Sequence, residues 1–152
     1  MEDPVIIQKL EHREIKPTAM RILVLKTLLK QTYAISVNDL ENILDRADRI
    51  TLFRTLKTFE QHGLVHRIDD GTGVMKYALT REAYHSAPER FHIHFFCTQC
   101  EKTYCILNSA IPDFKLPVNF RMDDVSVVMK GICDNCNHQS RQKINASDKS
   151  AP

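Results

Sequence analysis

Between residues 18 and 62 the apolar positions recur every three or four residues; beyond residue 63 they take up the two-residue rhythm of strands. Residues 18–30 predict a helix. Ile22, Leu25 and Leu29 share one face, Thr18 is placed to cap it, and Pro17 stops any earlier helix from running on. Ser36 followed by Asp39 resembles a capping box and opens a second helix, with Leu40, Ile43 and Leu44 on its inner face. A third helix runs from about Arg49 to His62, with Leu52, Leu56 and Phe59 inward and Gly63 as its stop. Leu64–Ile68 and Val74–Leu79 flank the Gly-rich Asp69-Asp70-Gly71-Thr72-Gly73, so they predict a β-hairpin. Three helices and a hairpin make a winged helix-turn-helix, whose third helix enters the major groove of DNA.

The pattern changes at residues 81–90, REAYHSAPER, which are polar, contain Pro88 and read as a hinge. Phe91 to Phe96 alternates, and a strand there projects His92 and His94 to one face. Lys102–Leu107 is a second short strand and carries Cys105. Asn108–Phe120 is expected to be partly helical, shortened by Pro112 and Pro117. Asp124–Ile132 has the strongest strand signal. An exposed apolar edge there is covered if two copies pair. From Gln139 onward the chain is polar, aperiodic and expected to be disordered.

Two cysteine pairs supply the candidate chemistry: Cys97-x-x-Cys100 and Cys133-x-x-Cys136. Each pair can place two thiolates on one ion from a tight turn, and together they complete the four-sulfur tetrahedron of structural zinc. A dithiol redox pair is the competing chemistry, but neither pair has the strand-to-helix context of a thiol oxidoreductase. Two imidazoles at His92 and His94 are spaced to share a second metal.

Composition narrows the picture less. The 152 residues suffice for one ordinary domain or two small ones, and 43% of them are hydrophobic. The N-terminal stretch MEDPVIIQKLEHREIK lacks the apolar run of a signal peptide, and no stretch is apolar enough to span a membrane. A cytoplasmic chain with reduced thiols is expected, which favours metal over disulfides. Net charge is +2, and residues 1–80 carry twelve Lys/Arg against eleven Asp/Glu. Bulk charge therefore does not announce a nucleic-acid binder; position must. The outer face of the third helix shows Arg49, Thr51, Arg54, Thr55, Lys57 and Thr58, with no acidic residue before Glu60. Short hydroxyls allow close approach, and the cations reach phosphates and base edges.

These parts, in this order, resemble the ferric uptake regulator (Fur) family of bacterial metal-dependent repressors, over about residues 10–137. The carriers are Thr18-x-x-Arg21, Ile50-Thr51-Leu52-Phe53-Arg54-Thr55-Leu56, Gly63-Leu64-Val65, His92-x-His94-x-x-Cys97-x-x-Cys100 and Gly131-Ile132-Cys133-x-x-Cys136. The resemblance implies an α+β fold: a winged-helix DNA-binding domain over residues 1–80, a hinge over 81–90, and an α/β dimerisation and metal-binding domain over 91–138. A disordered tail over 139–152 completes the expectation. It implies a homodimer on A·T-rich inverted repeats of double-stranded DNA, with no membrane partner, closed into its gripping shape by a regulatory metal. Phe53 stands where the family usually has a thymine-contacting Tyr, Arg54 would contact phosphate or base, and Lys16 would reach the minor groove.

The departures from the family pattern bear on the sensed ligand. Positions that usually supply sensing ligands hold Ala34, Ala78 and Cys105, leaving His92 and His94. A second family site falls on Phe91, Ile93, Pro112 and Val125, none able to bind metal. Three outcomes stay open. A sensor rebuilt from His92, His94, Cys105 and His85 would suit zinc better than an oxygen-rich iron(II) shell. Haem, which accepts axial Cys or His, is the second. DNA binding without a sensed ligand is the third. Beside the regulator stand a zinc-ribbon protein-interaction module without DNA binding and a thiol oxidoreductase; the regulator reading predicts no catalysis.

Overall fold

The computed structural model describes residues 3–45, 47–80, 93–106, 113–123 and 125–147, with side chains to residue 142. The chain divides into two compact units, residues 1–90 and 91–152.

The first unit begins with a helix that the apolar rhythm did not announce, α1 (Asp3–Glu11), which closes Ile6 and Leu10 from water. Helix α2 (Ala19–Lys30) starts where Thr18 accepts a hydrogen bond from the Arg21 N–H, and it buries Val24, Leu25 and Leu28. A two-residue strand β1 (Ile35–Ser36) leads into α3 (Val37–Ile43) through the expected capping box. Ser36 and Asp39 each bind the other's backbone N–H. Helix α4 (Arg49–Gln61) is capped by Asp48 and buries Leu52, Leu56 and Phe59. Gly63 at φ 68° ends it, in the left-handed conformation that glycine adopts without strain. Strands β2 (Val65–Ile68) and β3 (Lys76–Leu79) form the wing, and β1 joins it to give a three-stranded antiparallel sheet in the order β1-β3-β2.

All four helices and the sheet close on one apolar core. Each fully buried Leu or Phe in it contributes about 1.5–3 kcal/mol relative to exposure. One sequence expectation fails here: Ile43 is not on the inner face of α3 but 48% exposed. Helix α3 is only seven residues long, and its inner stripe is filled by Val37 and Leu40. The wing tip is tied by a buried carboxylate. Asp70 accepts from the Thr72 N–H and hydroxyl, and it pairs with Lys76 Nζ at 2.6 Å.

The second unit is a three-stranded sheet in the order β5-β4-β6, followed by a helix. Strand β4 (Ile93–Cys97) lies between β5 (Thr103–Ile106), antiparallel, and β6 (Val127–Gly131), parallel. Residues 113–123 lie outside helix and strand, so the expected helix does not reach Phe120; residues 107–112 lie outside the described residues. The expected disordered tail is also corrected. Helix α5 (Asp134–Ser147) runs well past Gln139. It starts within the second cysteine pair, where Asn137 N–H donates to the Cys133 carbonyl at 2.9 Å and Ser140 Oγ donates to the Cys136 carbonyl at 3.0 Å. A helix anchored at its first turn needs no apolar stripe, so hydrophobic periodicity could not reveal it.

Candidate metal centre and nucleic-acid face

The cysteine site follows from strand register. In the parallel pair β4/β6, Cys97 stands opposite Gly131, so both cysteine pairs emerge at the same end of the sheet. After Cys97 the chain reverses. Glu101 takes φ 58°, its N–H donates to the Cys97 carbonyl at 2.8 Å, and Cys97 N–H donates to the Lys102 carbonyl at 2.9 Å. Thr98 N–H ties this turn to the Gly131 carbonyl at 2.8 Å. Gly131 has a steric reason for being glycine: a Cβ there would meet the Phe95 ring at 3.1 Å.

The four sulfurs lie within 4.8 Å of one another, and Cys100 Sγ is 3.7 Å from Cys133 Sγ. Zinc–sulfur bonds of about 2.3 Å in a tetrahedron require sulfurs roughly 3.8 Å apart, while a disulfide requires about 2.05 Å. The cluster therefore fits structural zinc, and none of the five cysteines is in a disulfide. Cys97, Cys133 and Cys136 are buried.

The surroundings favour thiolate unevenly. Burial pushes the Cys97 thiol up, but hydrogen bonds from the backbones of Cys100, Cys133 and Gln99, with the Cys100 thiol, outweigh it and hold it at about 6. The Cys133 N–H donates to Cys97 Sγ at 3.3 Å. Cys133 is lowered, chiefly by the Cys136 backbone. Cys136 is pushed up to about 12 by burial and by the neighbouring sulfurs. Burial also raises the Tyr104 hydroxyl, with Cys133 and Cys100 adding to it. Four sulfurs this close cannot all be anionic without a cation to compensate them.

A second pair of donors lies across the sheet. His94 on β4 stands directly opposite Cys105 on β5, and their ligand atoms are within 4.8 Å. His94 is buried at 8% exposure and Cys105 is half-buried. His92 and His85, the other candidate donors, lie outside the described residues, as do Phe91 and Pro112. Ala34 and Ile93 are buried core residues.

The expected DNA face is redrawn by helix geometry. Thr55 is 5% exposed and belongs to the core, because it stands three residues after Leu52 and four before Phe59. Arg49 is exposed but tied to α3, donating to Glu41 at 2.7 Å and to Asn38. Thr51 serves the cap, its N–H and hydroxyl both donating to Asp48. Arg21 braces the preceding loop by donating to the Lys16 carbonyl at 2.8 Å, and Lys16 is exposed. Phe53, Arg54 and Lys57 are exposed. Ile50 joins them, 60% exposed, and sequence reasoning passed over it as a DNA-facing side chain. The signal was there: 50, 53, 54 and 57 follow the i, i+3, i+4, i+7 rule of one helix stripe. His62 is exposed, and its Nδ1 lies 2.8 Å from the Arg13 carbonyl, tying the end of α4 to the segment after α1.

Comparison with known proteins agrees with this arrangement. Residues 12–130 match the profile of the Ferric uptake regulator family. The Ferric uptake regulation protein of Bacillus subtilis (strain 168) is 29% identical over 91 residues, which is 57% of this chain and 58% of that protein. The chain thus spans under two thirds of that relative's length. Among solved structures, a zinc uptake regulator complexed with zinc and DNA superposes with a TM-score of 0.63 at 18% identity, covering 91% of this chain and 96% of that one. The Vibrio cholerae ferric uptake regulator gives 0.55 at 21% identity, over 84% and 98%. A zinc-bound manganese uptake regulator gives 0.58 at 18% identity, also over 84% and 98%. These likenesses establish the fold: α+β, with a four-cysteine cluster suited to zinc in the C-terminal unit.

Proposed function

The chain belongs to the ferric uptake regulator family, whose members are metal-responsive transcription regulators and not enzymes, and from that premise we propose that it is a cytoplasmic homodimeric repressor of metal homeostasis genes. Residues 1–80 serve as the DNA-binding domain, 81–90 as the hinge, and 91–138 as the dimerisation and metal-binding domain. The observation that carries this reading is the free stripe of α4. Ile50, Phe53, Arg54 and Lys57 are exposed on one face, and the wing follows directly. Cations at the helix surface reach phosphates and guanine edges, while Ile50 and Phe53 suit thymine methyl groups. An A·T-rich inverted repeat is the matching operator, read by two copies on successive half-sites. Thr51 acts through the helix cap, Arg49 through its ties to Asn38 and Glu41, and Arg21 through the loop it braces, while Lys16 reaches the adjacent groove. Thr55 has no part in the contact.

The zinc of the four-cysteine cluster is structural, and the sensed ligand binds at His94 and Cys105, with His92 and His85 completing the set. An imidazole–thiolate pair favours zinc over iron(II). Haem and ligand-independent binding are the other outcomes of a titration. The ligand regulates only if it binds the DNA-gripping arrangement better than the other.

Fluorescence anisotropy on an A·T-rich inverted repeat tests the reading. Arg54→Ala is expected to weaken binding about tenfold, the loss of one good contact of about 1–3 kcal/mol, with zinc content unchanged. His94→Ala is expected to abolish the zinc-dependent rise in affinity and leave the zinc of the cysteine cluster in place. A zinc-loaded wild-type chain that binds no duplex even at low salt would replace the regulator with a protein-interaction module.

A further inference from the structure

Helix α5, the turn after Cys97 and strand β5 enclose a cleft of about 420 Å³. Three of the four clustered cysteines line it, Cys100, Cys133 and Cys136, while Cys97 is fully buried and off its wall. The cluster is therefore closed behind Cys97 and open in front, where Cys100 is the half-buried member of the four. A divalent ion with about six waters of ~30 Å³ each needs roughly 180 Å³, so the cleft admits it still hydrated.

The wall beyond the sulfurs decides what meets such an ion first. Helix α5 contributes Asn135, His138, Gln139 and Gln142, which follow the i, i+3, i+4, i+7 rule of one helix stripe. Zinc takes thiolate, imidazole and carboxylate ligands. Among the described residues of the cleft, His138 is the one besides the cysteines that offers any of these. Its ring is set for the task. Nε2 lies 2.9 Å from Asp134 Oδ1, one helix turn earlier. Facing a carboxylate, Nε2 carries the proton, and the neutral ring keeps its lone pair on Nδ1. Metal-binding histidines are commonly held this way, because the carboxylate fixes the tautomer and makes the free nitrogen more basic. His138 does not belong to the group of ligand atoms within 4.8 Å of one another that the four sulfurs form. It can therefore hold an ion beside the tetrahedron but not within it.

We propose that this cleft is the path by which zinc enters and leaves the cysteine cluster, with His138, held by Asp134, as the ligand that receives an arriving ion. The inference rests on the structural zinc of the reading above and adds the route by which it is exchanged. His138 takes the ion as it sheds water, and Cys100, the least enclosed sulfur, is the first to be shared with it. The sulfurs then pass from the departing ion to the arriving one. Each sulfur gained displaces a water, the departing ion takes up a water for each sulfur lost, and no electrons move.

The test is isotope exchange on the zinc-loaded full-length chain. Protein carrying zinc of one isotope is mixed with free zinc of another, and the isotope ratio of the desalted protein is followed by elemental mass spectrometry. The wild-type rate is expected to rise with free zinc, because the arriving ion is held before the bound one leaves. His138→Ala is expected to weaken that dependence about tenfold, the lower end of what a partner in a metal site is worth, with zinc per chain unchanged. Asp134→Asn is expected to give a smaller loss. Free imidazole is expected to speed the alanine variant and not the wild type, a rescue that a merely structural histidine would not show. A His138→Ala chain that exchanges as fast as the wild type overturns the path, and so does a wild-type rate independent of free zinc. A wild type that retains no zinc overturns the zinc reading of the cluster and the path with it. If the variant loses zinc, cobalt(II) added to the zinc-loaded wild type decides. Paramagnetic broadening of the His138 ring signals before the bound zinc is displaced supports the path, and broadening only upon displacement overturns it.

Discussion

The centre of the first unit is Phe59, Leu52, Leu56 and Leu25, all fully closed to water; the centre of the second is Cys97, Cys133 and Cys136, with Phe95, Cys100 and Tyr104 packed against them. The two units thus answer the cost of ordering the chain in different ways. The first buries a continuous apolar core drawn from four helices and a sheet. The second centres on sulfur and, among its described residues, buries few large apolar side chains beyond Ile93 and Phe96, so bound metal is expected to supply part of what its core does not. Its surfaces also differ in kind. The exposed apolar residues of α4, Ile50 and Phe53, stand among cations and hydroxyls, while Val118 and Phe120 stand at a turn between Lys115 and the Arg121–Asp123 ion pair.

The sharpest way to break this comparison is to remove the metal. Binding of structural zinc supplies on the order of 10 kcal/mol of folding free energy in small metal-dependent folds. Cys133→Ser, or exhaustive chelation, is expected to unfold the second unit and abolish the dimer while the first unit keeps its amide-exchange protection. Simultaneous loss of both units would mean that they do not fold independently. A smaller effect tests the other side. Phe59→Ala leaves a cavity at the centre of the first unit and is expected to cost about 3–5 kcal/mol. Circular dichroism should show the helical unit melting early while zinc content stays unchanged. The smallest effect concerns acid. Cys97 is held down to about 6 by surrounding donors. A depressed thiol pKa contributes stability above the ordinary thiol range, and that contribution is lost as pH falls through about 6. Cys136, raised to about 12, must surrender a proton to bind metal. Zinc transfer to a chromophoric chelator is therefore expected to steepen as pH drops towards about 6. Retention unchanged at a pH well below that would show that the metal, rather than the backbone donors, sets the thiolate state.

Much of the first unit was legible in the sequence because its rules are local. Thr18, the Ser36/Asp39 box and Gly63 act within one helix turn, and all three sit where their chemistry requires. Thr55 and Ile43 were misplaced for a related reason. A residue at the border of a helix stripe faces core or solvent according to what packs against it, and the sequence does not carry the neighbour's position. Helix α1 was missed because its buried contribution is only Ile6 and Leu10. Helix α5 was missed because its described residues are polar apart from the buried Cys136, and its start depends on the cysteine turn that anchors it.

The cysteine spacing by itself pointed to a four-sulfur metal site, since two Cys-x-x-Cys pairs have few other uses. The helix and hairpin order likewise determined the winged architecture. Only the tertiary structure decided that the pairs converge, through the parallel register that sets Cys97 opposite Gly131. It also decided that Cys105 meets His94, through the antiparallel register of β4 and β5. Register between strands distant along the chain depends on the packing of whole faces, and local spacing cannot encode it.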